Sequence, residues 1–212
     1  MKVLITAGPT AEPLDPVRFL SNRSSGKMGY ALAIAAQKQG WETYLVSGPV
    51  DLAWPVGVEG EIVQTAQEMF EAVTRKQKQQ DLIVMCAAVA DYRPKNYIQE
   101  KRKKTSDTWH VELVKTKDIL SFIGHNRYGD QLIVGFCLET ENLIEQAKLK
   151  LENKKVDVIV ANDARAMEAD NTVLFWVDAK GHEYKLEEMS KLQAAEEIIS
   201  LLTAYKEDGS HA

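Results

Sequence analysis

The chain has 212 residues and a formal net charge of −5, long enough to bury a substantial core, since a chain of this size hides roughly 70% of its unfolded surface. Hydrophobic content of 45% with 27% charged residues excludes a mostly disordered chain, and the acidic balance argues against broad attraction to nucleic acid or anionic lipid. No apolar run approaches the roughly 20 residues of a membrane helix. One domain over residues 1–212 is expected, with no membrane and no nucleic-acid partner.

Met1 leads at once into Lys2–Thr6, which reads as a buried strand rather than a signal peptide. Lys27–Gln39 reads as an Ala-rich helix stopped by Gly40, whose missing side chain suits a left-handed cap. Glu42–Val46 is a second strand, and a Gly/Pro loop follows from Gly48 to Pro55. Thr65-Ala66-Gln67-Glu68 has capping-box spacing, and Ala66, Met69, Phe70 and Val73 then recur at helical intervals. Asp81–Ala87 suits a central parallel strand, and the polar stretch from Ala88 to about Asp107 is long enough to point to function. The next segments read as a strand over Trp109–Val114 and a helix from Lys117 capped by Thr116. A strand over Gln131–Leu138, a helix over Glu141–Lys154 and a strand over Val156–Ala161 follow. Thr172–Asp178 and His182–Lys185 read as a hairpin, Leu192–Tyr205 as a closing helix and Lys206–Ala212 as a frayed tail. This rhythm predicts an α/β fold: a Rossmann-like, mostly parallel sheet with helices on both faces and a small β appendage or flap. The two cysteines, Cys86 and Cys137, lie in separate apolar runs without metal-ligand spacing and read as buried thiols of a cytoplasmic protein.

In open α/β sheets ligands bind beyond the carboxyl ends of the strands, which draws attention to Ala7 through Gly29. This is no Walker A loop, because Met28 stands where Ser or Thr is required. It is no GxGxxG turn either, and the second strand ends Val46-Ser47-Gly48 without an acidic residue for a ribose diol, which disfavours NAD. The segment opens with Gly8 and supplies a helix N-terminus at Ser24, Ser25 and Gly26, where free amides and the helix dipole favour an anion. Arg18 offers a bidentate cation and Asn22 a neutral amide near the same mouth. The competing reading is a plain helix cap; the length of the crossover favours function.

The string Ile5-Thr6-Ala7-Gly8-Pro9-Thr10, with Glu12-Pro13-Leu14-Asp15-Pro16-Val17-Arg18, Ser21-Asn22 and Ser24-Ser25-Gly26-Lys27-Met28-Gly29, resembles bacterial phosphopantothenoylcysteine synthetases. Further matching blocks are Ala87-Ala88-Val89-Ala90-Asp91-Tyr92-Arg93, Glu100-Lys101-Arg102-Lys103-Lys104, Val134-Gly135-Phe136 with Glu139-Thr140, and Ala161-Asn162-Asp163. The resemblance implies a CTP-dependent ligase of coenzyme A biosynthesis that joins 4′-phosphopantothenate to L-cysteine, with Mg²⁺ as the ion. The carboxylate attacks the α-phosphate of CTP, giving an acyl-cytidylate and pyrophosphate, and the cysteine amine then displaces CMP. Such chemistry asks for charge neutralisation and positioning rather than a protein nucleophile. The resemblance also implies no flavin in this chain, a homodimer, and fusion to or association with a flavin-dependent decarboxylase.

On that resemblance Asn22 stabilises the acyl-cytidylate, its amide donating to a carbonyl that develops charge. Arg18 lies near the pantothenoyl intermediate, and Ala88 contributes its backbone. Cys86, Ala87 and Asp91 fall in the nucleotide site, with Asp91 also a candidate Mg²⁺ ligand where a turn-forming aspartate is the plainer reading. Lys101 sits on a flexible flap at about residues 92–107 and closes over the triphosphate, whereas Lys101–Lys104 alone would read as a solvated basic loop. The usual family spelling has Ile where Arg102 stands and Pro where Lys117 stands. Lys117, Asp118, Ile119 and Leu120 open a helix expected to form a second anion site. Phe136 contacts the nucleotide, and Lys150 and Lys154, four residues apart beside the apolar stripe, reach it too.

Two other classes compete. Ile5-Thr6-Ala7-Gly8 also begins like a short-chain reductase, and Tyr97 with Lys101 satisfies the Tyr-x-x-x-Lys spacing, though in a Pro-flanked loop rather than on a helix. The other is a non-catalytic nucleotide-binding module. The residues leave CTP against ATP open, because backbone groups can read a cytosine edge.

Overall fold

The computed structural model describes residues 1–104, 108–139, 142–163 and 171–209. In chain order the first elements are β1 (Lys2–Ala7), β2 (Ala11–Pro13), β3 (Phe19–Ser21), α1 (Lys27–Lys38), β4 (Glu42–Ser47) and β5 (Glu59–Ile62). Then come α2 (Ala66–Gln77), β6 (Leu82–Met85), β7 (Tyr92–Pro94), β8 (Leu113–Lys115), α3 (Ile119–His125) and β9 (Leu132–Glu139). The last are α4 (Leu143–Lys154), β10 (Val158–Asp163), β11 (Asn171–Asp178), β12 (Glu183–Ser190) and α5 (Lys191–Gly209).

Eight strands form one sheet in the order β12-β11-β10-β9-β6-β1-β4-β5. It is parallel from β10 to β5 and antiparallel at β11 and β12. The parallel strands are apolar on both faces because helices cover both. Val3, Ile5, Val84, Val134 and Val160 face α1 and α5, whereas Leu4, Ile83, Ile133 and Ile159 face α2, α3 and α4. The chain leaves β1 for β4 and β5, then returns through α2 to place β6 on the other side of β1. The loops after β1 and β6 therefore diverge at a topological switch point, where open α/β sheets bind ligands. No helix among the described residues is long and apolar enough to cross a membrane.

The expected α/β architecture is present, and the structure redraws its periphery. The hairpin near the C-terminus is the antiparallel edge of the main sheet, and the small β features are instead the ribbons β2–β3 and β7–β8. The expected strand over Trp109–Val114 narrows to Leu113–Lys115, because only that stretch meets Tyr92–Pro94. Thr116 does not cap α3: its hydroxyl donates to Ala90 O at 2.6 Å, while Asp118 is the N-cap and accepts from Ser121 N at 2.9 Å. The helix expected from Glu141 begins at Leu143, and residue 141 lies outside the described residues. Thr65 caps α2 as its spacing predicted, accepting from Glu68 N at 3.2 Å.

Candidate functional site

The two diverging loops are stitched together by the last polar residue of β1. Thr6 is fully buried, and its hydroxyl oxygen accepts from Cys86 N and Ala87 N, each at 3.1 Å. Beyond it Ala88 N donates to Gly8 O at 2.9 Å and Thr10 N to Ala88 O at 3.3 Å, extending the sheet by one bridge between Pro9 and Ala88. Ala90 N donates to Thr10 Oγ1 at 2.9 Å. A rigid wall of backbone results at the switch point.

Opposite this wall stands α1. Gly29 lets the helix lie directly on β1: a Cβ there would overlap Ala7 Cβ and sit 2.9 Å from Ala7 Cα. Gly26 enters α1 with φ 73°, in the left-handed region that glycine adopts without strain, and no side chain caps the helix. The N-terminal amides of α1 therefore face a cleft of about 570 Å³. Asn22, Ser24, Ser25, Cys86, Ala87, Ala88, Asp91, Phe136 and Lys150 all line it, as the sequence predicted for a shared site. Gly8 lies behind, with Gly26 packed on its backbone at a distance that a Cβ on Gly26 would bring to 3.4 Å.

Asn22 bridges the two sides. Its Nδ2 donates to Ala88 O and Val89 O, both at 3.1 Å, so the atom left for a ligand is Oδ1. That reverses the expected use of the amide as a donor, because two backbone carbonyls already take both N–H groups. Burial pushes the Cys86 thiol up to about 12, against the opposing pull of the Lys191 ammonium. Cys137 is buried as expected, but Cys86 is only half-buried, a neutral thiol in the wall of the cleft.

Other predicted residues are placed elsewhere. Arg18 is held outside the cleft, ion-paired to Asp15 at 2.6 Å and stacked 5.5 Å from the Trp109 ring centroid. Burial opposes charge on Asp15, but backbone hydrogen bonds from Val17, Arg18 and Arg102 outweigh it and hold the carboxyl below the usual carboxylate range. Lys101 is exposed in a non-helical stretch; of its expected flap at 92–107, only Tyr92–Pro94 is strand (β7), and residues 105–107 lie outside the described residues. Tyr97 shares that stretch, so the Tyr97–Lys101 pair lacks the helix that would orient a reductase acid.

The second anion site is not formed. Asp118 supplies its own carboxylate to the start of α3 and pairs with Lys154. Lys117 Nζ instead lies 4.2 Å from the Phe70 ring centroid. Ile119 is core, and Leu120 packs so close to Gly135 that a Cβ there would meet it at 2.6 Å.

Several lining residues were not predicted as site residues, among them the cations Arg23, Lys27 and Lys191 and the amide Asn162. Lys191, only 8% exposed, opens α5 and faces the cleft. A cation at a helix N-terminus opposes the dipole, which was the available signal. Asn162 lines the cleft with a buried Oδ1 that has no hydrogen-bond partner among the described residues. Lys27 joins them from the first turn of α1. Among the described residues lining the cleft, Arg23, Lys27, Lys150 and Lys191 are cationic and Asp91 alone is acidic.

Residues 1–205 match the family described as DNA/pantothenate metabolism flavoprotein C-terminal domain. The coenzyme A biosynthesis bifunctional protein CoaBC of Haemophilus influenzae is 42% identical over 205 residues, which is 94% of this chain and 50% of that protein. The CoaBC of Bacillus subtilis is 43% identical over 207 residues, or 95% and 51% of the two chains. The chain thus spans about half the length of these curated relatives. The crystal structure of the C-terminal domain of a CoaBC superposes with a TM-score of 0.85 at 40% identity, covering 98% of this chain and 96% of that one. The DNA/pantothenate metabolism flavoprotein from Streptococcus pneumoniae shares the fold, with a TM-score of 0.84 at 23% identity over 97% and 99% of the two chains. With the family matched across nearly its full length and a sheet, switch point and cleft of the corresponding fold, the chain belongs to the DNA/pantothenate metabolism flavoprotein C-terminal domain family.

Proposed function

We propose that this chain is a phosphopantothenate–cysteine ligase that activates its substrate carboxylate with CTP. One observation carries the reading: in a chain of net charge −5, four cations and an uncapped helix N-terminus converge on one cleft at the topological switch point. Such a site attracts a polyanion of the size of a nucleoside triphosphate. The name of the bifunctional relatives supports the pathway, and membership of the family supports the ligation.

In this reading the α1 N-terminus, Lys27, Lys150 and Lys191 neutralise the triphosphate, and Phe136 and the Cys86–Ala88 wall enclose the nucleotide. Arg18 and Lys101 approach from the flanking loops. Once the carboxylate has displaced pyrophosphate, Asn22 Oδ1 accepts a hydrogen bond from the amine of cysteine and directs it at the acyl carbon. Uncharged throughout, the amide orients without competing for the proton. Asp91, whose carboxylate has no partner among the described residues, suits a Mg²⁺ ion shared with substrate phosphates, since this ion takes one or two carboxylates together with phosphate oxygens. There it would supply charge neutralisation of the departing pyrophosphate.

The chain acts as one cytoplasmic domain and as a homodimer. Val17, Phe19, Tyr92 and Leu113 expose apolar surface on the two ribbons, and we assign the contact to that side. The bifunctional character of the relatives supports association with a second activity, which in this reading is a decarboxylase. The test is a reaction with 4′-phosphopantothenate, CTP, Mg²⁺ and cysteine: cysteine-dependent release of CMP with pyrophosphate is expected. Nucleotide binding without turnover would leave a binding module, and NADPH oxidation with a carbonyl substrate would return the reductase.

A further inference from the structure

We propose that Asp15 and Trp109 are positioning residues that dock the segment carrying Lys101 onto the loop carrying Arg18. The proposal rests on the roles given to those two cations above.

Asp15 is a carboxylate with no exposed side-chain surface, and it collects donors from two distant parts of the chain. Val17 N at 2.8 Å, Arg18 N at 2.9 Å and Arg18 Nη1 at 2.6 Å come from its own loop. The fourth is Arg102 N at 3.4 Å, from the residue that follows Lys101. A turn-forming aspartate accounts for the first two alone. The Arg18 guanidinium also donates to Arg102 O, at 3.4 and 3.5 Å. Trp109 completes the arrangement, with the Arg18 and Arg102 guanidinium carbons 5.5 and 5.0 Å from its ring centroid. Ile98 N adds a hydrogen bond to Leu14 O at 3.1 Å.

Two neighbouring guanidinium groups repel, so their meeting requires compensation. A buried carboxylate and a shared aromatic face supply it. The same carboxylate orients Arg18 and fixes the backbone beside Lys101, coupling the two cations that flank the cleft. Lys101 keeps an exposed, rotatable stem, but its root is held, which lowers the entropy lost when its ammonium meets phosphate. Arg102, in place of the usual Ile, thereby anchors the segment through its ring contact and its backbone amide.

The experiment compares Asp15→Asn, Trp109→Leu and Trp109→Phe in the full chain. Amide hydrogen exchange over residues 95–104 reads the docking, and pyrophosphate release from 4′-phosphopantothenate and CTP reads the first half-reaction. Asp15→Asn and Trp109→Leu should each speed exchange by about tenfold and raise the KM for CTP by about tenfold. Trp109→Phe, which keeps a ring for both guanidinium groups, should restore both toward wild type. Trp109 is only partly buried, whereas Asp15 is fully buried, so Trp109→Leu remains informative if Asp15→Asn fails to fold. Unchanged exchange in Trp109→Leu overturns the docking, and faster exchange with an unchanged KM for CTP overturns its positioning role. If the wild-type chain releases no pyrophosphate, the ligase reading fails while the exchange comparison still decides the docking.

Discussion

Thr6→Val should loosen the wall of the cleft with little change in side-chain volume. The hydroxyl oxygen of Thr6 is the acceptor for Cys86 N and Ala87 N, both at 3.1 Å, and the residue is fully buried. Valine leaves those two amides without a partner. Each stranded donor costs about 1–3 kcal/mol; because the loop can shift to admit water, about 2–4 kcal/mol in all is expected. With a urea slope of about 2–3 kcal/mol/M for a chain of this size, the unfolding midpoint should fall by about 1–2 M. The shifted segment includes Ala87 and Ala88, which line the cleft and hold Asn22. CTP affinity measured by calorimetry should therefore weaken by about tenfold. Thr6→Ser keeps the acceptor and loses one methyl, so it should lose only about 1 kcal/mol and bind CTP normally. The reasoning is refuted if Thr6→Val keeps the wild-type midpoint, or if Thr6→Ser falls as far as Thr6→Val.

Asn22→Asp sets a second carboxylate oxygen against the Ala88 and Val89 carbonyls, which now accept from Nδ2. It should still release pyrophosphate but slow CMP release by about a hundredfold, and normal ligation would remove Asn22 from the transfer step. Because desolvation raises the Cys86 thiol to about 12, iodoacetamide at pH 8 should label the half-buried Cys86 far more slowly than a free cysteine by peptide mass spectrometry, and labelling at the free rate would contradict that raised pKa. For Asp178, burial works to raise the carboxyl, but hydrogen bonds from Trp176 and His182 overcome it and hold the group below the usual carboxylate range. A depressed folded value means stabilisation that is present above the unfolded value and lost as pH falls through the folded one. The Tm difference between wild type and Asp178→Asn should thus be constant near neutrality and shrink in acid, and a difference that grows in acid would reverse this assignment.

The sheet was legible because buried parallel strands such as Leu82–Met85 are unbroken apolar runs, and α2 because Thr65 and Glu68 have capping spacing. The ribbons were not, since each is three residues long and held by partners far along the chain. At the cleft, the Ser24–Gly26 entry to α1 and the Cys86–Asp91 loop could be read from the position of loops after strands. The cations were harder. Arg18, Lys117 and Lys154 carry the right charge, but an aspartate or an aromatic ring elsewhere holds each of them. Lys191 reaches the site only because α5 packs against α1, a contact between opposite ends of the chain that no local pattern encodes.

The central claim is that the cleft joins a carboxylate to the α-phosphate of CTP before cysteine arrives. A single-turnover quench with 4′-phosphopantothenate, Mg²⁺ and α-labelled CTP, without cysteine, tests it most directly. The account predicts one equivalent of pyrophosphate and an enzyme-bound phosphopantothenoyl-cytidylate that yields CMP only when cysteine is added. Formation of CDP and phosphate, or label remaining entirely in CTP, would contradict it.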